Sequence, residues 1–283
     1  MGLSIQLTNP LARLSTSDEK GYLFSALGEL FWYLSGSNSL DFIEYYIKHY
    51  KQEAEGEIIY GAYGPRIFKL KRSDKIINQL KNVINSLKKN PTTKKAVIQL
   101  FDAMDIHESH KEIPCTCIMQ FLIREGKLNM FVYMRSNDAY KGLPHDIFAF
   151  TMIQELVSKM TNTSLGAYYH YASSMHLYEE DLARAESYVD EGFHSTQIEM
   201  PPMSTTDFTI LDVVLACESN IRNGNLEIDD NLSTYWKDIL RLLKIYRHIK
   251  TKDYQLAKLV QEELSSQAYE SPIQRRLYGK TNG

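Results

Sequence analysis

The 283 residues suffice to bury a sizeable core in one large domain, or in one domain with a small extension. With 43% hydrophobic and 24% charged residues and a net charge of −3, nothing global draws the chain to nucleic acid or to a membrane surface. An anionic ligand would have to meet positive charge concentrated locally. The three cysteines, Cys115, Cys117 and Cys217, lack the spacing of a disulfide scaffold and predict free thiols in a reducing, cytoplasmic setting. No apolar run approaches membrane-spanning length, and residues 1–10 lack a basic start followed by a long apolar stretch.

In chain order, Leu23, Leu27, Leu30 and Leu34 recur at helical spacing, with Phe24 and Phe31 widening the apolar face, and predict a helix over residues 21–34. A second amphipathic helix is expected over 40–50. Residues 53–64 carry Gly56, Gly61 and Gly64 and read as a loop ending in a turn. Residues 75–88 read as a helix closed by Asn90-Pro91. Residues 96–101 predict a buried strand, and 118–123 with 127–134 a hairpin around Arg124-Glu125-Gly126. An amphipathic helix over 146–160 and an aromatic-rich strand over 165–171 follow. Beyond residue 200 the pattern turns helical, over 211–221, 235–249 and 254–265. The expected class is α+β over residues 1–200, with residues 201–283 as a helical C-terminal extension packed on it.

A few residues stand out chemically. Glu29 is the only charge between Lys20 and Asp41. A carboxylate withdrawn from water has a raised pKa and suits proton transfer near neutrality, whereas a glutamate at a helix edge simply reaches solvent. Cys115 follows Pro114, which fixes the local backbone; a cytosolic cysteine so placed is either a nucleophile or a small buried hydrophobe. Cys117, two residues on, would share its strand face, and C-x-C alone is a weak metal signal. Arg135-Ser136-Asn137-Asp138 follows a predicted strand, where an arginine fork and a serine hydroxyl can hold phosphate or form a solvated turn.

Six fragments occur in one order. They are Gly28-Glu29-Leu30-Phe31-Trp32-Tyr33-Leu34, Tyr63-Gly64, Pro114-Cys115, Arg135-Ser136-Asn137-Asp138, Gly142-Leu143-Pro144-His145-Asp146 and His176-Leu177-Tyr178. Together they resemble the thymidylate synthase and deoxycytidylate hydroxymethylase family across roughly residues 21–180. The resemblance implies a mixed β-sheet covered by helices, a homodimer formed back to back through the sheet, and no metal. It also implies folate-dependent one-carbon transfer to C5 of a pyrimidine nucleotide, with 5,10-methylenetetrahydrofolate as co-substrate. By the same resemblance Cys115 adds to C6 of the base, Glu29 manages protons at the ring, and Tyr63 assists at C5. Arg135 and Ser136 would hold the phosphate, joined by Lys94 and Lys95 of a partner subunit in place of the family's two arginines. His176 and Tyr178 would meet the sugar 3'-hydroxyl, and Asp138 and Gly142 would lie on the folate side.

Three departures refine the expectation. Asp146 stands where thymidylate synthases have asparagine; a protonated Asp146 could accept from N4 and donate to N3 of cytosine, or the residue could merely cap its helix. The tryptophans that line the folate in the family's synthases are absent from residues 46–52, though other aromatics such as Tyr46 and Tyr50 could fill the gap. A wetter site would favour hydroxymethylation over methylation. Both chain ends diverge: Arg13 is the nearest stand-in for an N-terminal phosphate arginine, and residues 278–283 do not resemble a closing tail. The expected enzyme is a (deoxy)cytidylate 5-hydroxymethyltransferase acting on dCMP or CMP. The alternatives are a synthase or methylase completing hydride transfer, and an inactive nucleotide-binding interaction protein.

Overall fold

The computed structural model describes residues 2–15, 17, 21–192 and 198–278. Its elements run β1 (Leu3–Leu7), α1 (Leu23–Leu34), α2 (Leu40–Tyr46), α3 (Tyr50–Glu53), α4 (Tyr63–Phe68), β2 (Leu70–Arg72), β3 (Lys75–Ile77) and α5 (Gln79–Lys89). They continue with β4 (Val97–Gln99), β5 (Thr116–Arg124), β6 (Lys127–Asp138), α6 (Gly142–Thr161) and β7 (Ser164–His176). The remainder is helical: α7 (Leu182–Asp190), α8 (Phe208–Asn223), α9 (Thr234–Lys250), α10 (Tyr254–Glu262) and α11 (Glu270–Tyr278). The class is mixed α+β.

Two compact units emerge, one of Met1–Pro10 with Gly28–Tyr178, the other of Leu11–Leu27 with Glu179–Gly283. Residues 179–192 and 198–200 thus group with the helices that follow them, and the division falls inside α1, before Gly28.

In the first unit a five-stranded sheet runs in the order β1-β7-β6-β5-β4. All pairs are antiparallel except β6 with β7, whose parallel pairing requires the crossover that α6 supplies. Met119, Phe121, Met130, Val132, Met134, Tyr168 and Ala172 fill one face of the sheet and are buried. The register aligns Ile118, Tyr133 and Tyr171 in a row on the other face, and all three are exposed. From Gly28 onward α1 is apolar on every side except at Glu29, as a helix buried all round should be.

Several expectations are corrected here. Residues 75–77 form a strand, not the first turn of a helix; Ile76 and Ile77 pair with Lys71 and Leu70 across a tight turn in which Ser73 has a φ of 53°. The helix starts only after Asn78, whose side chain accepts from Lys81 N at 2.8 Å, an N-cap that the sequence displays openly. The helix expected over 40–50 breaks at Ile47 into α2 and α3. Strand β6 runs four residues beyond 134, carrying Arg135 through Asp138 into the sheet, because parallel pairing with β7 continues to Asp138 and His176. The N-terminal β1, unpredicted, pairs with β7.

The second unit is built from capped helices. Asp207, Ser233 and Asp253 each accept a backbone N–H from the first turn of α8, α9 and α10. Gly224, at a φ of 102°, ends α8. Phe24 stacks on Tyr246 at 5.4 Å between centroids. Among the described residues no helix is long and apolar enough to cross a membrane. Residues 279–283, most of the tail compared with a closing segment, lie outside the described residues.

Candidate active site

Cys115 lies one residue before β5, and its carbonyl accepts from Arg135 N at 2.9 Å, tying it to β6. The Arg135 side chain bends back onto the same segment. Its Nε donates to Pro114 O and its Nη2 to Ile113 O, both at 3.0 Å, and Nη2 approaches Cys115 Sγ at 3.7 Å. The positive charge favours a thiolate, but burial and the neighbouring Glu112 prevail and push the thiol up to about 12. Glu112 itself is raised to about 7, chiefly by burial and then by Glu53. A β-bulge between Thr116 and Ile118 interrupts the alternation, so the expectation that Cys115 and Cys117 share a strand face does not carry across it.

Glu29 is 6% exposed and has a partner that the sequence did not reveal: the Tyr50 hydroxyl donates to its Oε1 at 2.6 Å. The edge of Tyr50 meets Trp32 with centroids 5.2 Å apart. Two glycines shape this region. A Cβ on Gly28 would fall 2.0 Å from Tyr46 Cγ, and one on Gly64 would fall 2.8 Å from Ser37 O. Beside Gly64, Tyr63 stacks on Tyr33 at 4.9 Å, and its hydroxyl accepts from Thr116 N at 3.1 Å and Thr116 Oγ1 at 3.0 Å. Burial, then Asp146 and Cys115, hold the Tyr63 hydroxyl well above its ordinary value.

Asp146 sits one turn inside α6 because that helix begins at Gly142, so it does not cap the helix. Its Oδ2 accepts from Asn137 Nδ2 at 2.8 Å, and burial followed by Glu29 raises its carboxyl well above the carboxylate range. Asn137 in turn contacts His170 (Oδ1 to Nε2, 2.9 Å), and His170 contacts Tyr168 (Nδ1 to the hydroxyl, 2.8 Å). Burial lowers His170 to about 4, leaving it neutral.

Asp138 organises the turn before α6: its Oδ1 receives the backbone N–H groups of Tyr140 at 2.9 Å, Lys141 and Gly142. Its Oδ2 is buried without a hydrogen-bond partner among the described residues. Ser136 Oγ lies 3.4 Å from His176 Nδ1, and the rings of His176 and Tyr178 meet edge-on at 4.9 Å. The structure therefore joins Cys115 to Arg135, Tyr63 to Thr116, and Ser136 to His176.

These features coincide with a known profile. Residues 7–218 match the family described as thymidylate synthase. The chain belongs to that family. Among its relatives, a deoxyuridylate hydroxymethyltransferase of Bacillus phage SP01 is 29% identical over 188 residues, covering 62% of this chain and 49% of the relative. Another, from Delftia phage PhiW-14, is 31% identical over 205 residues, covering 65% and 56%. A thymidylate synthase of Mycoplasma pneumoniae is 29% identical over 150 residues, covering 53% and 50%. The chain spans about half the length of these curated relatives.

The thymidylate synthase family uses 5,10-methylenetetrahydrofolate as co-substrate and binds a nucleotide monophosphate. No cluster of metal-ligating side chains occurs among the described residues of this member. Lys94 and Lys95 are exposed and remain apart from Cys115 within the chain. They precede Val97, which pairs with Gln120, five residues along β5 or about 17 Å from Cys115. Sequence reasoning about this family member missed Glu112, Tyr168 and His170, offered Tyr50 only as an aromatic on the folate side, and gave Asn137 no role of its own. For Glu112 a signal existed in its place three residues before the cysteine. For Tyr168 and His170 the only signal was polar groups on the inward face of an aromatic strand.

Proposed function

We propose that this member of the family transfers a one-carbon unit to C5 of a cytosine nucleotide, dCMP or CMP, and releases the 5-hydroxymethyl nucleotide. The observation that carries the reading is Asp146, a buried carboxyl whose protonated form is favoured by burial and then by Glu29, where the family's synthases have asparagine. A neutral carboxyl offers one donor and one acceptor, which match N3 and the N4 amine of cytosine.

Cys115 gives up its thiol proton to solvent water and its Sγ forms the bond to C6, the electrons of the C5–C6 double bond move toward N3, and Asp146 gives N3 a proton. Arg135, with Nη1 making no hydrogen bond among the described residues, turns that edge to the phosphate beside Ser136. His176 and Tyr178 take the sugar, and Glu29 with Tyr50 orders water at the ring. Tyr63, anchored by Thr116 and kept protonated by burial, orients the water that carries the C5 proton to solvent. When bound, 5,10-methylenetetrahydrofolate would supply the one-carbon unit, with tetrahydrofolate as the leaving group and water as the source of the hydroxyl. The unpartnered Asp138 Oδ2, beside Gly142, fits an N–H donor of its pterin. A second copy covers the outer sheet face, bringing its own Lys94 and Lys95 to the phosphate.

A uracil nucleotide is the second reading, favoured by the names of the two phage relatives. The same neutral carboxyl pairs with uracil if its donor and acceptor oxygens exchange places. Product mass spectrometry after incubation with dCMP, CMP or dUMP and methylenetetrahydrofolate decides between them. A hydroxymethyl adduct on a cytosine nucleotide is expected. A hydroxymethylated dUMP would install the second reading, a methylated product would restore synthase chemistry, and a nucleotide-dependent thermal shift without turnover would mark a binding protein.

A further inference from the structure

A carboxyl reads a base only if it is settled which oxygen bears the proton, and three residues linked to Asp146 by hydrogen bonds bear on that choice. Tyr168 is fully buried, and among the described residues its hydroxyl has one partner, His170 Nδ1, at 2.8 Å. Leaving a buried hydroxyl proton unpaired is costly, so Tyr168 donates and Nδ1 accepts. A neutral imidazole has a single N–H, which must then be on Nε2, pointing at Asn137. Nε2–H therefore donates to Asn137 Oδ1 at 2.9 Å, which turns the amide so that Nδ2 donates to Asp146 Oδ2 at 2.8 Å. An oxygen that accepts this bond serves as the carbonyl oxygen, and the proton belongs on Oδ1. Gly142 leaves room for the arrangement, since a Cβ there would lie 3.0 Å from Asn137 Nδ2.

We propose that Tyr168, His170 and Asn137 form a one-way hydrogen-bond chain that assigns the Asp146 proton to Oδ1 and so sets the choice between cytosine and uracil. All three are positioning residues; only Asp146 meets the base. The direction originates in the single hydroxyl proton of Tyr168. Without it the imidazole can place its hydrogen on Nδ1, the Asn137 amide can turn over, and Asp146 can carry its proton on Oδ2. The choice of cytosine over uracil rests on the function proposed above, whereas the chain itself does not.

The test compares kcat/KM for dCMP and dUMP in the wild type, Tyr168→Phe, His170→Phe and His170→Gln, each checked for folding by its melting curve. Tyr168→Phe and His170→Phe are expected to move the dCMP/dUMP ratio toward dUMP by at least about tenfold. His170→Gln, whose amide can accept from Tyr168 and donate to Asn137, should hold the ratio within about threefold of wild type. A purely structural role would lower both substrates together, without rescue by glutamine. Should His170→Phe fail to fold, Tyr168→Phe, which removes one hydroxyl, carries the test alone. A folded Tyr168→Phe with the wild-type ratio overturns the chain. A wild type that prefers dUMP refutes the cytosine reading only, and the variants must then move the ratio toward dCMP.

Discussion

The Tyr50 hydroxyl reaches Glu29 Oε1 at 2.6 Å, so the one charge of an otherwise apolar helix is held from another helix, twenty-one residues on. Burial, with Glu29 second, keeps that hydroxyl protonated well beyond neutrality, so it acts as a fixed donor. Tyr50→Phe removes the donor while keeping the ring against Trp32. We expect kcat to fall about tenfold and stability by about 1–3 kcal/mol, the cost of stranding a buried acceptor. Unfolding curves alongside single-turnover rates check this; wild-type rates would separate Tyr50 from the chemistry.

Cys115 and Glu112 form the second test. With its thiol pushed up to about 12, Cys115 should alkylate slowly with iodoacetamide at pH 8 in the free protein. Glu112→Gln should accelerate the reaction and Arg135→Gln should slow it, because the two charges act in opposite directions on the thiol. Mass-resolved labelling of Cys115 measures both. Equal rates in all three proteins would remove electrostatics from the account.

Glu112 also predicts a pH dependence of stability. Its folded value of about 7 lies above the ordinary 4.5, so the protonated form is the one the fold favours. Its contribution is complete below about pH 4.5 and is lost as pH rises through about 7. Glu112→Gln should flatten that window and melt higher than wild type at pH 8. A melting temperature that tracks the wild type from pH 5 to 8 would contradict it.

Asp146→Asn replaces the acid by an amide whose oxygen accepts from N3–H and whose NH₂ donates to O4. Preference should move from cytosine to uracil nucleotides by about a hundredfold, the few kcal/mol that mispaired buried groups cost. Competitive turnover of dCMP and dUMP reads it directly, and an unmoved preference would place base selection elsewhere.

The exposed row of Ile118, Tyr133 and Tyr171 calls for a cover. If that cover is a second copy, Tyr133→Lys should shift the protein to monomer in light scattering and weaken nucleotide binding, since Lys94 and Lys95 would no longer arrive. A wild type already monomeric at micromolar concentration would end the dimer reading.

Much of this was legible in the sequence wherever one periodicity dominated. Leu23 to Leu34, Ile118 to Ile123 and the helices after residue 207 all lie near where pattern places them. Legibility failed where a short local signal was outvoted: Asn78 announces a helix start, yet Lys75, Ile76 and Ile77 before it extend the apparent pattern backwards. Site residues drawn from ordered fragments were recognisable because chemistry restricts their types. Their supports were not, because a tyrosine beneath a glutamate or a histidine behind an asparagine is fixed only by tertiary packing. The neighbour of Glu29 is Tyr50, and nothing in residues 46–52 distinguishes it from Tyr46 except which turn of the chain it occupies.

The bulge between Thr116 and Ile118 has a bearing on how this gene can change. It is one residue of slack placed between the nucleophile and the inward-facing Met119 and Phe121. Deleting a residue from it would restore simple pairing and turn Cys115 to the opposite side of the sheet. Deletions between Pro114 and Met119 should therefore be silent in the fold and fatal in the chemistry. The Glu125-Gly126 turn at the other end of β5 can lose or gain length without reaching the sulfur. Length variation along this hairpin should thus be confined to one end.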